Sequence, residues 1–243
     1  MLLSQVQIDQ FHKDGFLVLK AFADPKECDT ILSLAKSHLE RKTEPLESEK
    51  EYQRDNALSS AVRRLRQVYD REESFKSWMK NKEIKPLLQQ LLQDEPVLLL
   101  AHHNSIMTKQ ANESTITYWH QDIRYWNYKN DNLLSVWLSL GDEFLDNGLL
   151  EFIPGSHKMN FTSEQFDERL SFKEELSKNQ EIISKRVHCN LEKGDIVLFH
   201  AKVLHYAHKN KTDKAKISFV YSLRAKSNLP LKNTRSNYKE IIL

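Results

Sequence analysis

The sequence contains few of the residues that mark secreted, fibrous or disordered proteins. Its 243 residues include five glycines, six prolines and two cysteines, with no repeat or low-complexity segment. The cysteines, Cys28 and Cys189, lack CxxC spacing, so we expect buried, reduced thiols and no zinc site. No apolar run approaches the ~20 residues that a membrane span needs, and no secretory signal is recognisable. These absences predict a soluble cytoplasmic protein without a membrane partner.

Charge is balanced along the chain, with 36 basic against 34 acidic residues and a formal net charge of +2. Nucleic-acid binding needs a basic stripe, whereas the basic run Arg63, Arg64 and Arg66 is short and soon followed by acidic residues. We therefore expect this run on a solvated helix face and expect no nucleic-acid partner. Hydrophobic residues make up 40% of the chain, which is enough to form a sizeable core.

Residues 1–95 contain mainly helical signals. Ser4 can cap a helix that ends at Gly15, with Val6 and Phe11 facing inward. After a strand over 16–20, Asp24 fits the N-cap of a second helix. The polar segment 41–56 predicts a mobile loop that forms a candidate lid. Helical periodicity then resumes over 62–68, at 75–78 and at 87–92.

After residue 96 the pattern changes to short segments typical of strands. The predicted strands are 97–108, 115–120, 133–140, 149–153, 182–189, 195–199 and 216–223. Each of the five glycines falls at a predicted break, where a positive φ is easily reached. Helices followed by strands predict an α+β domain with a mainly β core, in which helices support an antiparallel sandwich or barrel. We expect one domain over 1–243, with helical support over 1–95, the core over 96–225 and a tail over 226–243.

The central chemical signal is the tetrapeptide Trp119-His120-Gln121-Asp122. Side chains alternate faces along a strand, so His120 and Asp122 are expected to point the same way. Such a pair holds a metal from one side, and a third ligand must come from a distant strand. Two histidines and one carboxylate with open positions suit Fe(II) in oxygenases. By itself the pair is a weak signal, because ten histidines make a chance match common.

Longer motifs surround this pair. The segment 137–157 reads WLSLGDEFLDNGLLEFIPGSH, and the segment from Gly194 reads GDIVLFHAKVLHYAHKNKTDK. With YWHQD and the opening IDQFHKDGFLVLKAF, these motifs resemble the phytanoyl-CoA dioxygenase family over about residues 5 to 224. The resemblance implies a double-stranded β-helix, the jelly-roll or cupin-like fold, with amino-terminal supporting helices. It also implies Fe(II) at the open mouth of the barrel, 2-oxoglutarate as cosubstrate, and O2.

The third iron ligand has three candidates: His200, His205 and His208. The family's distal histidine lies five residues before an Asn-x-Ser/Thr step, which here is Asn210-Lys211-Thr212. The resemblance therefore favours His205, completing a ligand set with His120 and Asp122. The remaining histidines at 102, 103, 157 and 188 are expected to be structural or exposed rather than ligands.

The cosubstrate site contains one departure from the family. Relatives have an arginine eleven residues after the distal histidine, where it pairs with the outer carboxylate of 2-oxoglutarate. This chain has Lys216 there, and an ammonium lacks the bidentate fork of a guanidinium. Lys216 and Ser218 share a strand face, so together they offer a charge and a hydroxyl to one carboxylate. Arg224 is a second choice as a donor, and the alternative is that 2-oxoglutarate binding is weakened or lost.

The remaining cosubstrate contacts follow from the resemblance. Trp137 matches a tryptophan that lines the family's 2-oxoglutarate pocket, and Ser105 and Lys109 match positions that approach the same pocket. Ala207 stands where relatives often have a serine. Arg124 and Trp126 follow the metal motif. If the strand continues, Arg124 shares the face of the ligands and is a candidate to bind an anionic substrate, with a surface salt bridge as the alternative.

By the same resemblance, the chain is expected to be a dioxygenase that hydroxylates a small organic substrate and releases succinate and CO2. Related halogenases replace the ligand carboxylate with a small residue, so Asp122 favours hydroxylation. Lys216 keeps two alternatives open. One is a metal enzyme that does not use 2-oxoglutarate, and the other is a non-catalytic metal-binding jelly roll. Neither the substrate nor the oligomeric state follows from the sequence.

Overall fold

The computed structural model describes residues 1–52 and 59–243. The expected loop and lid over 41–56 therefore lies partly outside the described residues. Within these ranges the helices are α1 Gln5–Asp14, α2 Pro25–Glu40, α3 Glu49–Tyr52, α4 Glu73–Met79, α5 Lys85–Leu92 and α6 Ser177–Ile183. The strands are β1 Phe16–Leu19, β2 Leu46–Ser48, β3 Val62–Arg66, β4 Pro96–Lys109, β5 Thr117–His120, β6 Leu133–Ser139, β7 Leu150–Phe152, β8 Val187–Cys189, β9 Ile196–His200, β10 His205–Ala207, β11 Lys216–Ala225 and β12 Glu240–Ile242.

The first helix begins and ends at the residues that the sequence predicts. The Ser4 side chain accepts a hydrogen bond from the backbone of Gln7, and the Gln7 side chain bonds back in a capping box. Gly15 ends the helix at φ +85°, where a Cβ would lie 2.4 Å from Nδ1 of His157. Phe11 is buried, but Val6 is 76% exposed, so the expectation that Val6 faces inward is wrong.

The strands form two antiparallel sheets. In the part of the chain that the structure describes, the larger sheet has the order β1-β9-β6-β11-β4-β3-β2, with β12 also paired to β4. The smaller sheet has the order β5-β10-β7-β8. Apolar side chains from both sheets meet in one cluster, which includes Phe152 of the smaller sheet and Trp137, Phe199 and Val220 of the larger one. The predicted jelly roll with supporting helices is confirmed.

The helical layer packs against the other face of the larger sheet. Residues from α2, α4 and α5 join the outward face of β4, β6, β9 and β11 in the largest hydrophobic cluster. Trp78 and Phe75 are fully buried there, and Phe75 packs edge-on against Phe219 at 5.7 Å between ring centroids. This layer covers the face of the larger sheet that points away from the smaller one.

Several predicted elements differ from the observed ones. Residues 62–66 form strand β3 rather than a helix, and β2 and α3 occupy part of the segment expected to be a loop. Residues 177–183 are helical, so only the end of the predicted strand 182–189 forms a strand. The segment 226–243 contains β12, which pairs with β4. Four of the five glycines have a positive φ, and Gly141 does not.

The three basic residues of β3 do not lie on a solvated helix face. Arg63 is 3% exposed, and its guanidinium lies 3.4 Å from Oε2 of Glu49. Arg64 contacts Glu47 at 2.6 Å.

None of the helices among the described residues combines the length and apolar character needed to cross a membrane.

Candidate active site

Three side chains converge at one end of the space between the sheets. His120 is the last residue of β5, and His205 is the first residue of β10. The two residues pair directly with each other in the antiparallel ladder. Asp122 opens a short 3-10 helix over Asp122–Tyr125. Strand β5 therefore ends before Asp122, and the predicted strand alternation is not what aims this carboxylate. One nitrogen or oxygen of each residue lies within 4.8 Å of the others, and no other such group occurs among the described histidines, cysteines and acids.

The hydrogen bonds of the two imidazoles fix which nitrogen faces the centre. Nδ1 of His120 donates to the backbone oxygen of Tyr118 at 2.8 Å, and Nδ1 of His205 donates to that of Val203 at 3.1 Å. Each Nε2 therefore directs a lone pair toward Asp122. Oxygen Oδ1 of Asp122 lies 3.6 Å from Nε2 of His120 and 3.8 Å from Nε2 of His205.

The electrostatic environment also suits a cation. Burial lowers the pKa of His205 to about 3, so its ring is neutral and able to bind a metal. Burial alone would raise the pKa of Asp122, but the imidazoles beside it, chiefly that of His103, which also donates a hydrogen bond, hold this pKa well below its usual range. Oxygen Oδ2 of Asp122 is buried without a protein partner. Two imidazoles with inward-facing Nε2 atoms, one ionised carboxylate and an unsatisfied buried oxygen fit a divalent iron ion.

The other two candidates for the distal ligand lie elsewhere. Nδ1 of His200 accepts a hydrogen bond from the backbone of Lys202 at 3.0 Å, and its ring packs on His157. His208 faces Glu151 at 3.3 Å. The structure thus places His205 beside His120 and Asp122, and it places His200 and His208 elsewhere.

His103 belongs to the site although sequence reasoning placed it among structural histidines. It lies on β4, and its Nε2 is 3.2 Å from Oδ1 of Asp122. Its ring packs edge-on against Trp126 at 5.6 Å between centroids. A hydrogen bond from His103 orients the Asp122 carboxylate, which would hold the metal. The sequence around His103 gives no signal for this role, because β4 and Asp122 come together only in the folded barrel.

Two cavities meet at the ligands. The inner cavity has a volume of about 60 Å³ and lies between the sheets, lined by His120, His205, Trp137, Lys109 and Lys216 among others. The outer cavity has a volume of about 410 Å³ and also reaches His120 and Asp122. Ligand pockets commonly measure about 300–1,000 Å³. The outer cavity is therefore the size of a substrate site, whereas the inner one has room for about two water molecules.

The predicted cosubstrate residues Lys216 and Ser218 both bind a buried glutamate. Oε2 of Glu143 lies 2.9 Å from Nζ of Lys216. Its Oε1 accepts from Ser218 at 2.7 Å and from Nε1 of Trp137 at 2.9 Å. Sequence reasoning missed Glu143, which stands in the WLSLGDE motif without any local pattern that marks it. The two donors expected to hold an outer carboxylate, Lys216 and Ser218, thus already hold a carboxylate of the protein, together with the indole of Trp137.

Lys109 also lines the inner cavity, whereas Ser105 and Arg224 lie elsewhere. Ser105 lines a separate cavity beside Arg64, Arg66 and Arg235. Arg224 is bonded to Glu240 at 2.7 Å.

The continuation of β5 on which the role of Arg124 depended does not occur. Arg124 instead stacks over the ring of Phe166 at 3.4 Å and donates to Gln121. Trp126 does line the outer cavity.

A jelly roll with two imidazoles and one carboxylate at its mouth defines a non-haem iron oxygenase of the class that uses Fe(II), 2-oxoglutarate and O2. The chain belongs to the phytanoyl-CoA dioxygenase family, whose model matches residues 11–218. The expected family is thereby confirmed.

Curated relatives agree with this membership. The chain is 26% identical to phytanoyl-CoA dioxygenase domain-containing protein 1 of Bos taurus, over 91% of this chain and 90% of that protein. It is 31% identical to a homologue of that protein from Caenorhabditis briggsae, but over 40% of this chain and 36% of the relative. It is 23% identical to ectoine dioxygenase of Bordetella bronchiseptica, over 90% and 75% of the two chains.

Solved structures share the fold at lower identity. EctD from S. alaskensis, crystallised with 2-oxoglutarate and 5-hydroxyectoine, superposes with a TM-score of 0.80 and 21% identity over 94% of this chain and 78% of that one. The epimerase SnoN from nogalamycin biosynthesis superposes with a TM-score of 0.74 and 19% identity over 91% and 82%.

Proposed function

We propose that this protein hydroxylates a small organic substrate bound in the outer cavity, at an iron ion held by His120, Asp122 and His205. The observation that carries the proposal is the convergence of these three side chains, with both Nε2 atoms and a buried, ionised carboxylate aimed at one point. With iron bound, 2-oxoglutarate and O2 would supply the oxidising chemistry, and the substrate would gain a hydroxyl while succinate and CO2 are released.

The chain's own residues hold the three metal ligands in position. The backbone oxygens of Tyr118 and Val203 fix the two imidazoles, and His103 fixes the carboxylate of Asp122. The apolar residues between the sheets lower the effective dielectric constant around the inner cavity, which strengthens the charge interactions within it. The ligand set retains its carboxylate, which favours hydroxylation over halogenation.

The outer cavity favours an anionic substrate. Arg235 lines it together with Trp126 and with Arg64, whose charge Glu47 offsets at 2.6 Å, and Nη2 of Arg235 donates to the backbone oxygen of Ala101. No carboxylate among the described residues lies within salt-bridge distance of Arg235. Arg235 therefore takes the part that the sequence suggested for Arg124, with Trp126 as an apolar wall. Succinate release screened with carboxylates, phosphates and neutral analogues, each with R235A as the comparison, tests this preference.

A second function is favoured by one observation, the contact of Glu143 with Lys216. A site whose cosubstrate donors are already occupied suits a metal enzyme that does not use 2-oxoglutarate, or a non-catalytic metal-binding jelly roll. These alternatives keep the iron but not the response to 2-oxoglutarate.

Anaerobic titration of the Fe(II)-loaded protein with 2-oxoglutarate separates these functions. We expect a saturable visible charge-transfer band that is absent in His120→Ala, because loss of one imidazole removes a metal ligand. Arg124→Ala, which alters a residue outside the cavities, serves as a matched control and should retain the band. Bound iron without a band would refute the 2-oxoglutarate-dependent function in favour of the second one.

A further inference from the structure

A side cavity adjoins the outer one, between β3, β4 and the segment that follows β11. It has a volume of about 200 Å³, and its walls include Arg64, Arg66, Arg235, Ser105 and Tyr238 but none of the described acidic residues. Arg64 and Arg235 also line the outer cavity, so the two spaces adjoin. Because whole ligands commonly occupy about 300–1,000 Å³, the side cavity suits one end of a ligand whose remainder lies in the outer cavity.

The fold brings three guanidiniums to this cavity. Arg64 and Arg66 lie two residues apart on β3, so their side chains leave the same face of the sheet. Leu65, between them, packs into the core on the opposite face. Arg235 approaches from the carboxy-terminal segment, where its Nη2 donates to the backbone oxygen of Ala101 at 3.0 Å. Two separate parts of the chain therefore direct positive charge to one place.

An interruption of β4 forms the wall that the two cavities share. Residues 100–103 have no partner on β11, because the pairing passes directly from Asn104 to Leu99. Such interruptions are common beside active sites, where they re-aim side chains. Here His102 lines both cavities, and its ring stacks on Trp126 with 4.9 Å between centroids. An organic group can therefore follow a flat aromatic wall from the side cavity toward the metal ligands.

Two of the three guanidiniums have no carboxylate to compensate them. Glu47 offsets Arg64 at 2.6 Å, but among the described residues no carboxylate lies within salt-bridge distance of Arg66 or Arg235. Burial lowers the pKa of Arg235, and the charges of Arg66 and Arg64 lower it further, while Glu47 acts in the opposite sense. Nε of Arg64 is also buried without a hydrogen-bond partner. An anion bound here would relieve the repulsion between the guanidiniums.

The nearby acids do not cancel this charge. Glu47 also lies 3.9 Å from Nε of Arg63, so its single charge is shared between two arginines of β3. Glu51 lines the outer cavity and is exposed, and its Oε2 accepts from the backbone and the hydroxyl of Ser48. Two uncompensated positive charges match a dianion better than a monoanion.

We propose that the substrate is a phosphate monoester, whose phosphoryl group binds in the side cavity between Arg66 and Arg235 and whose organic group lies in the outer cavity against Trp126. This inference rests on the proposed function, whose substrate class it names. Guanidiniums bind phosphate oxygens through paired N–H donors. A phosphate monoester carries a charge of about −1.5 to −2 at pH 7, whereas a carboxylate carries a single charge.

Arg66 determines which anion is preferred. It lines the side cavity but not the outer one, whereas Arg235 lines both. A carboxylate in the outer cavity therefore reaches Arg235 alone, and a phosphoryl group in the side cavity lies between both guanidiniums. Ser105 is the direct partner of Arg66 in the ladder between β3 and β4, and it adds a hydroxyl to the wall of the side cavity.

The test compares two anionic groups on the same aromatic ring. Dissociation constants for phenyl phosphate, phenylacetate and inorganic phosphate are measured by calorimetry on the full chain without added iron, so that no anion is bound by the metal. In the wild type we expect phenyl phosphate to bind about tenfold more tightly than phenylacetate or better, because it gains hydrogen bonds to a second charged group. It should also bind more tightly than inorganic phosphate, because its ring contacts Trp126.

Three variants assign the preference to residues. Arg66→Gln should weaken phenyl phosphate at least about tenfold, while phenylacetate stays within about threefold because Arg235 remains. Arg235→Gln should weaken both ligands. Arg41→Gln, at the exposed end of α2 and outside both cavities, is the matched control and should change neither. If Arg66→Gln does not fold, Arg66→Lys replaces it and should lower the preference at least about threefold, because lysine keeps the charge without the planar fork.

Three results would overturn the inference: an unchanged preference in the Arg66 variant, equal binding of phenyl phosphate and phenylacetate to the wild type, or equal binding of phenyl phosphate and inorganic phosphate. The last result would make this a site for free phosphate rather than for one end of a substrate. Failure of the proposed function looks different. A phosphate preference that depends on Arg66, without a charge-transfer band on titration of the iron-loaded protein with 2-oxoglutarate, would refute that function and leave a site that binds phosphate esters.

Discussion

The ion pair between Lys216 and Glu143 makes a measurable contribution to stability, which can be derived from its burial. The side chains are 4% and 0% exposed. Removing one partner of such a pair leaves an uncompensated buried charge and typically costs about 3–5 kcal/mol. We therefore expect Lys216→Met alone to destabilise the iron-free protein by about 3–5 kcal/mol. At about 2–4 °C per kcal/mol for a domain of this size, the melting temperature should fall by roughly 6–20 °C.

The double variant K216M/E143Q should be far less destabilised than the single one. A neutral glutamine can still accept from Ser218 and Trp137 through its amide oxygen, so the residual cost is that of one unsatisfied amide NH2 group, about 1–3 kcal/mol. Replacing both charges therefore restores much of the stability that replacing one removes. Denaturant unfolding at pH 7 of the wild type, both single variants and the double variant measures this coupling.

An exposed ion pair provides the matched control. Lys193 and Asp29 lie 2.7 Å apart but are 39% and 59% exposed, so Lys193→Met should destabilise the protein much less than Lys216→Met does. The reasoning is refuted if Lys216→Met costs no more than this control. It is equally refuted if the costs of the two single variants simply add in the double variant.

Two further properties can be tested on the same iron-free protein. Gly148→Ala should destabilise the protein by more than about 2 kcal/mol, because Gly148 has φ +87° and a Cβ there would lie 2.6 Å from the backbone oxygen of His208. In Gly141→Ala the new Cβ meets nothing within 4 Å, so this control variant should be near neutral. Similar melting temperatures for the two variants would contradict the prediction. Burial acts to raise the pKa of Asp195, but backbone hydrogen bonds and the ammonium of Lys20 lower it below its ordinary value. Its contribution to stability is present above the unfolded-state pKa of roughly 4 and is lost as the pH falls through the lower folded-state pKa. Asp195→Asn should therefore flatten the stability profile below about pH 4, and an unchanged slope would exclude this contribution.

Local signals predicted the elements that local chemistry determines. The cap at Ser4 and the stop at Gly15 involve residues within one turn of the helix end, so α1 could be placed from the sequence. Strand β3 could not. The spacing of Val62 and Leu65 fits a helix, and a charged residue between them suggests a solvated face. In the structure Arg63 is buried because Glu49 offsets its charge, which removes the alternation that normally identifies a strand.

For the site, too, the sequence predicted neighbouring residues but not contacts between distant ones. His120 and Asp122 are two residues apart, and the resemblance supplied His205. The contact of Glu143 with Lys216 joins residues 73 positions apart, and the approach of His103 to Asp122 joins β4 to a turn after β5. Neither pairing leaves a pattern in one sequence, since each depends on how the two sheets close.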